Sequence, residues 1–270
     1  MDRRPVGVFD SGLGGLTAVR QLRRLLPSEN IIYFGDTSRV PYGGRSPEIL
    51  LRYARQDVSF LRSFDIKAIL VACGTVSTTC LPTLQAENDL PILGVVEPAC
   101  RRAISVTHNG RVGLIATAAS VRSGAYERCI RRLGGDMEVV ARACPLFVPL
   151  VENGRYRPGD TVVETVAREY LLPVKESGID TLILGCTHYP LLHDVVAEVM
   201  GPEVTLIDTG EEAAWELKRT LQARQLLSDS ESGETTLFAS DQPDDFGVMA
   251  GHFLQEKLTR PVLPVNIDRY

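Results

Sequence analysis

A doubly wound α/β fold in two similar domains is what this sequence predicts, and three observations carry the prediction. Short apolar runs alternate with stretches of helical periodicity along the chain. The runs, such as Ala68–Val71 and Thr181–Leu184, are continuously apolar, as mainly parallel strands buried on both faces require. Landmarks of the first half then recur in the same order: residues 6–9 as 112–115, residues 31–34 as 138–141, and Cys73 as Cys186. Copies facing each other about a pseudo-twofold axis would bring both cysteines to one cleft at the domain interface.

Taken in order, residues 6–9 read as a strand and residues 10–15 as a glycine-rich loop. Leu16, Val19, Leu22, Leu25 and Leu26 then trace one helical face. Residues 31–34 form the next strand. After a turn at residues 41–44, Ser46, Pro47 and Glu48 supply a capping hydroxyl, a first-turn proline and a first-turn acid, which open a helix to about residue 64. The Cys73 strand is followed by a helix from near Val76, a strand at 91–96 and a helix opened by Glu97 and Pro98. Strands at 112–116, 138–141, 181–184, 204–207 and 235–239 alternate with helices at 119–133, 160–177, 211–227 and 243–258. Residues 228–234 are a solvated loop. Residues 1–96 with 208–270 are expected to form one domain, and residues 97–207 a second inserted within it.

With 270 residues, 44% of them apolar, the chain can fill one or two cores. A net charge of −5 without any basic block disfavours nucleic acid and anionic membrane surfaces, and points to a small-molecule substrate. No apolar run approaches membrane-spanning length, and the strand at residue 6 leaves no room for the apolar core of a signal peptide. Six cysteines without a C-x-x-C pattern suggest reduced thiols in the cytoplasm, with neither a disulfide framework nor a metal site.

A cysteine is more often a packed core residue than a reactive one, and Cys80, Cys100, Cys129 and Cys144 each sit among apolar neighbours that fit packing. Cys73 and Cys186 differ. They are equivalent in the repeat, and each lies between a strand end and a helix start, where the helix lowers a thiol pKa. Hydrogen-bonding groups follow each of them: Gly74 and Thr75 in one case, Thr187 and His188 in the other. Two acid/base groups on opposite faces of a carbon can take a proton from one side and return one from the other, inverting a stereocentre.

Five strings carry a resemblance: Val8-Phe9-Asp10-Ser11-Gly12-Leu13-Gly14-Gly15-Leu16-Thr17, Tyr33-Phe34-Gly35-Asp36-Thr37, Val40-Pro41-Tyr42-Gly43, Pro145-Leu146-Phe147-Val148-Pro149-Leu150-Val151-Glu152, and Leu184-Gly185-Cys186-Thr187-His188-Tyr189-Pro190-Leu191-Leu192. Spread over nearly the whole chain, they closely resemble the glutamate racemase family of the aspartate/glutamate racemase superfamily. The resemblance implies a cofactor-independent isomerase, a homodimer, that supplies D-glutamate for peptidoglycan. It implies Cys73 and Cys186 as catalytic bases assisted by Asp10, Glu152 and His188. Substrate contacts would come from Asp10, Ser11, Pro41, Tyr42, Gly43, Gly74, Thr75, Thr117, Thr187 and His188. The family usually has Asn after the first cysteine, where this chain has Gly74. A lost hydrogen bond to a charged ligand group costs ~1.5–3 kcal/mol unless replaced, so affinity is affected more than reaction type.

Three other readings compete. The Gly12–Gly15 loop with Asp36 after the next strand suggests a dinucleotide site, but Thr17 stands at the third glycine position and Asp10 would repel a pyrophosphate. A racemase for another acidic amino acid such as aspartate is a second. A non-catalytic ligand sensor is the third, which the presence of both cysteines disfavours.

Overall fold

The computed structural model describes residues 2–270. Its strands are β1 (Val6–Asp10), β2 (Ile31–Gly35), β3 (Ala68–Val71), β4 (Ile92–Gly94), β5 (Arg111–Ala116), β6 (Glu138–Ala143), β7 (Thr181–Leu184), β8 (Thr205–Asp208), β9 (Thr235–Ala239) and β10 (Leu263–Pro264). The helices are α1 (Leu16–Leu25), α2 (Pro47–Arg62), α3 (Gly74–Thr79), α4 (Leu81–Glu87), α5 (Val96–Val106), α6 (Ala118–Ser123), α7 (Ala125–Arg132), α8 (Phe147–Glu152), α9 (Thr161–Glu176), α10 (His193–Met200), α11 (Thr209–Ala223) and α12 (Pro243–Leu254).

Two sheets result, a six-stranded one ordered β10-β9-β2-β1-β3-β4 and a four-stranded one ordered β6-β5-β7-β8. Every pairing is parallel. The run β2-β1-β3-β4 repeats as β6-β5-β7-β8, so the recurrence in the sequence is a recurrence of strand plan. The winding direction reverses between β1 and β3 in one sheet and between β5 and β7 in the other. Such a reversal opens a crevice at the strands' carboxyl ends.

Burial explains the continuous apolar strands. In β1, Val6 and Val8 join a core that extends into the second sheet, while Phe9 joins a separate core on the opposite face. Gly7 lies on that second face, where a Cβ would come within 3.0 Å of Ile66 Cδ1. The outer face of the four-stranded sheet packs Val112, Leu114 and Ile183 against Ala99, Tyr126 and Ile130.

Several boundaries depart from the sequence expectation for local reasons. The helix expected over 119–133 breaks at Gly124, which sits at φ +61° and ends α6 before α7 begins. The helix expected from residue 211 starts earlier, because the Asp208 side chain accepts from the Gly210 and Glu211 N–H groups and caps it. The last helix stops at Leu254, ahead of Gln255 at φ +57°. Ser46 caps α2 as expected, accepting from the Ile49 N–H at 3.4 Å. Among the described residues no helix is long and apolar enough to cross a membrane.

Candidate active site

Both crevices open into one cavity of about 520 Å³. Its walls come from the ends of β1 and β3 in one sheet, from the ends of β5, β6 and β7 in the other, and from the Val40–Gly44 loop after β2. All the residues singled out from the sequence line it: Asp10, Ser11, Pro41, Tyr42, Gly43, Cys73, Gly74 and Thr75 from the first half, and Thr117, Glu152, Cys186, Thr187 and His188 from the second.

The first wall follows from chain path. Asp10 is the last residue of β1 and is buried, its Oδ2 accepting from the Gly12 N–H at 3.1 Å while Oδ1 has no hydrogen-bond partner. Burial raises its pKa, opposed by His188 and by backbone N–H groups of the glycine loop. Cys73 lies two residues beyond β3 at the N-cap of α3, with its Sγ 3.8 Å from the Ser11 hydroxyl. The expectation of a lowered pKa is not met at Cys73. Burial and the Asp10 charge push the thiol well above its ordinary value, outweighing the helix-start N–H of Val76 and the Ser11 groups.

Around Cys186 the groups differ. Its Sγ lies 4.0 Å from His188 Nδ1, and His188 Nε2 lies 3.0 Å from Glu152 Oε1 at the end of α8. Phe253 of α12 meets the His188 ring edge-on at 5.3 Å between centroids. Burial works against an imidazolium here, but Cys186 and Glu152 outweigh it and raise His188 to about 10. These contacts favour the imidazolium form of His188 beside the Cys186 sulfur.

The glycine loop exists for the approach of the two walls. A Cβ on Gly14 would lie 2.1 Å from Thr187 Oγ1 and 2.5 Å from His188 Nδ1, so only glycine fits. That is a packing reason for the motif where a dinucleotide site would need a phosphate reason. Thr17 Oγ1 donates to the Thr187 carbonyl at 2.9 Å, and the Thr75 and Thr117 hydroxyls meet at 3.3 Å, so both edges of the cavity are tied across the interface. Gly74 is also a point of contact: a Cβ there would be 2.8 Å from the Gly185 carbonyl oxygen, next to Cys186.

Tyr42 is placed differently from the other predicted contacts. Its ring is buried, and its hydroxyl is engaged with Asp36 Oδ2 at 2.5 Å. Only its backbone and ring carbons are left to meet a ligand. Sequence reasoning missed part of the apolar wall: Val40, Ala118, Cys144, Pro145, Val148 and Pro149 also line the cavity. Cys144, expected in the core, is fully buried there and backs the cavity wall. No Lys or Arg is among the lining residues.

Two parallel α/β units that share one cleft, with Cys73 and Cys186 at equivalent positions on its walls, define a class: a two-unit α/β protein with a small-molecule site at the interface. Known proteins identify it further. A family model described as Asp/Glu/Hydantoin racemase matches residues 17–217. The glutamate racemase of Geobacter metallireducens is 48% identical over 259 residues, covering 96% of this chain and 95% of that protein. The crystal structure of glutamate racemase isoform RacE1 from Bacillus anthracis matches with a TM-score of 0.93 at 38% identity, covering 98% of each chain. The Francisella tularensis glutamate racemase, solved in complex with D-glutamate, matches with a TM-score of 0.92 at 36% identity over 100% of each chain. The chain belongs to the Asp/Glu/Hydantoin racemase family and is an amino-acid racemase, an isomerase.

Proposed function

We propose that this chain interconverts L- and D-glutamate by two-base proton transfer between Cys73 and Cys186, and that it supplies D-glutamate for peptidoglycan. The observation that carries the reading is the placement of the two sulfurs: each follows an equivalent strand of its own sheet, and both line one cavity. One cysteine, as thiolate, removes the α-proton and becomes a thiol. The other, as thiol, delivers its proton to the opposite face and becomes a thiolate. The product is the enantiomer, with the two protonation states exchanged, and the reverse reaction uses the same two steps backwards.

The unpartnered Asp10 Oδ1 suits an ammonium group, which would offset the cost of burying that carboxylate. With no Lys or Arg in the lining, the substrate's carboxylates would rest on backbone N–H groups, on the Ser11, Thr75, Thr117 and Thr187 hydroxyls, and near His188. A buried cleft strengthens these contacts as negative charge develops at the α-carbon. Glu152 would hold the imidazole of His188 in position for Cys186.

Incubation with L-glutamate in deuterated water tests the reading. Deuterium at the α-carbon with growth of the D-isomer is expected. Binding without exchange would instead make the chain a sensor, and faster turnover of aspartate would change the substrate.

A further inference from the structure

Behind the Val40–Gly44 wall lies a buried charge cluster that the chemistry above does not use. Asp36 follows β2 and Asp57 lies on α2; both carboxylates are fully buried. Between them stands Arg39, whose Nε is 2.5 Å from Asp36 Oδ2 and whose Nη2 is 3.0 Å from Asp57 Oδ1. Its Nη1 donates to Gln56 Oε1 at 2.6 Å, and its guanidinium stacks 4.2 Å from the Tyr53 ring centroid. Asp36 Oδ1 also accepts from the Ser240 hydroxyl at 2.9 Å, which ties the cluster to the end of β9.

The Tyr42 hydroxyl enters this cluster from the cavity side. It donates to Asp36 Oδ2 at 2.5 Å, and its oxygen is 3.3 Å from Asp57 Oδ2. The Val40–Gly44 loop carries a short helical turn that covers the cavity, and this hydroxyl clamps it to a buried ion cluster. Buried, charge-assisted contacts of this kind hold geometry more firmly than surface pairs do.

We propose that Asp36, Arg39 and Asp57 are positioning residues for racemisation, which fix the Val40–Gly44 wall by gripping the Tyr42 hydroxyl. The proposal rests on the functional reading above only in taking that wall as part of the substrate site. The cluster also implies where a proton sits. Two carboxylates share one guanidinium, and one tyrosine proton cannot satisfy both of them. Tyr42 gives its proton to Asp36, so its contact with Asp57 is a hydrogen bond only if Asp57 is the neutral, donating member. Burial and then the charge of Asp36 push Asp57 well above the usual carboxylate range, with Arg39 and Tyr42 acting the other way, in agreement with that geometry.

Three variants test the proposal: Tyr42→Phe, Asp57→Ala and Asp57→Asn. Loss of a hydrogen bond to a charged group at the clamp should raise KM for glutamate about tenfold in the first two, while kcat changes less than about threefold. Amide exchange of residues 37–46 in the ligand-free protein should accelerate in both. Asp57→Asn should restore wild-type KM and wild-type exchange, because an amide can donate to the Tyr42 oxygen and accept from Arg39. The clamp is refuted if Tyr42→Phe leaves both KM and exchange unchanged, an outcome that does not depend on whether Asp57→Ala folds. A fall in kcat at constant KM would also overturn it, by placing the cluster in proton transfer. If Asp57→Asn behaves like Tyr42→Phe, the neutral assignment of Asp57 is wrong. Absence of glutamate turnover in the wild type would sink the functional reading, whereas the exchange measurement would still decide the clamp.

Discussion

Cys73 and Cys186 occupy the same place in two copies of one strand plan, yet opposite charges surround them. Beside Cys73 stand a carboxylate and a hydroxyl, Asp10 and Ser11, and burial with the Asp10 charge favours the protonated thiol. Beside Cys186 stands an imidazolium backed by Glu152. A duplicated scaffold therefore supplies symmetric positions without symmetric acidity. The environments are biased, favouring the thiol form at Cys73 and a positive charge beside Cys186, and under the proposed two-base transfer each turnover in one direction would invert that bias.

The strongest break in the comparison is to remove one sulfur. Cys73→Ala and Cys186→Ala should each lower racemisation by at least about 10³-fold, since neither face can be served by the opposite base. Circular dichroism and thermal melts should show the fold retained. Appreciable racemisation in either variant would end the two-base account.

A finer test removes the asymmetry alone. His188→Asn should lower kcat by about 10²-fold by leaving charge on Cys186 uncompensated. The two enantiomers have equal free energy, so kcat/KM must remain equal in both directions in any variant. The asymmetry will show instead in the isotope effect of α-deuterated substrate. It should grow for the enantiomer that Cys186 deprotonates and shrink for the other; equal changes for both would contradict the assignment of His188 to Cys186. Stability carries a matching pH signature. The folded-state pKa of His188 is raised from 6.5 to about 10, so its contribution is complete below 6.5 and is lost as the pH rises through about 10. The difference in Tm between wild type and His188→Asn should follow that course, being largest in mild acid and closing in alkali.

Much of this arrangement was legible in the sequence because burial on both faces leaves a one-dimensional trace. The continuous apolar runs of β3 and β7 mark the strands, and the cysteines that end them mark the cleft. What stayed hidden depends on partners that only tertiary folding brings together. Nothing near Gly14 indicates that Thr187 and His188 will press against it, and nothing near Tyr42 indicates that its hydroxyl turns away from the cavity toward Asp36 and Asp57. The short helix α8 was hidden for a different reason: six residues with an internal proline are too few to show a helical period. Helix starts implied a lowered thiol pKa, but at Cys73 burial and the neighbouring Asp10 carboxylate decide the sign.

Gly74 offers the smallest and most local perturbation of the comparison. It opens α3 directly after Cys73, and the atom that a side chain would strike is the Gly185 carbonyl oxygen, one residue before Cys186. The two thiol-bearing turns thus touch through a pair of glycines, and that contact sets how closely the two walls approach. Gly74→Ala adds no hydrogen-bonding group, so it tests spacing alone. A Cβ at 2.8 Å from a backbone oxygen forces one turn to move by several tenths of an ångström. Small misplacements of acid/base groups are costly, and kcat should fall about tenfold. Because both turns move apart together, the isotope effects for the two enantiomers should change in parallel, unlike those of His188→Asn. Unchanged kcat in Gly74→Ala would mean that the interface relaxes freely and that the close approach of Gly74 to Gly185 does not govern the distance across the cleft.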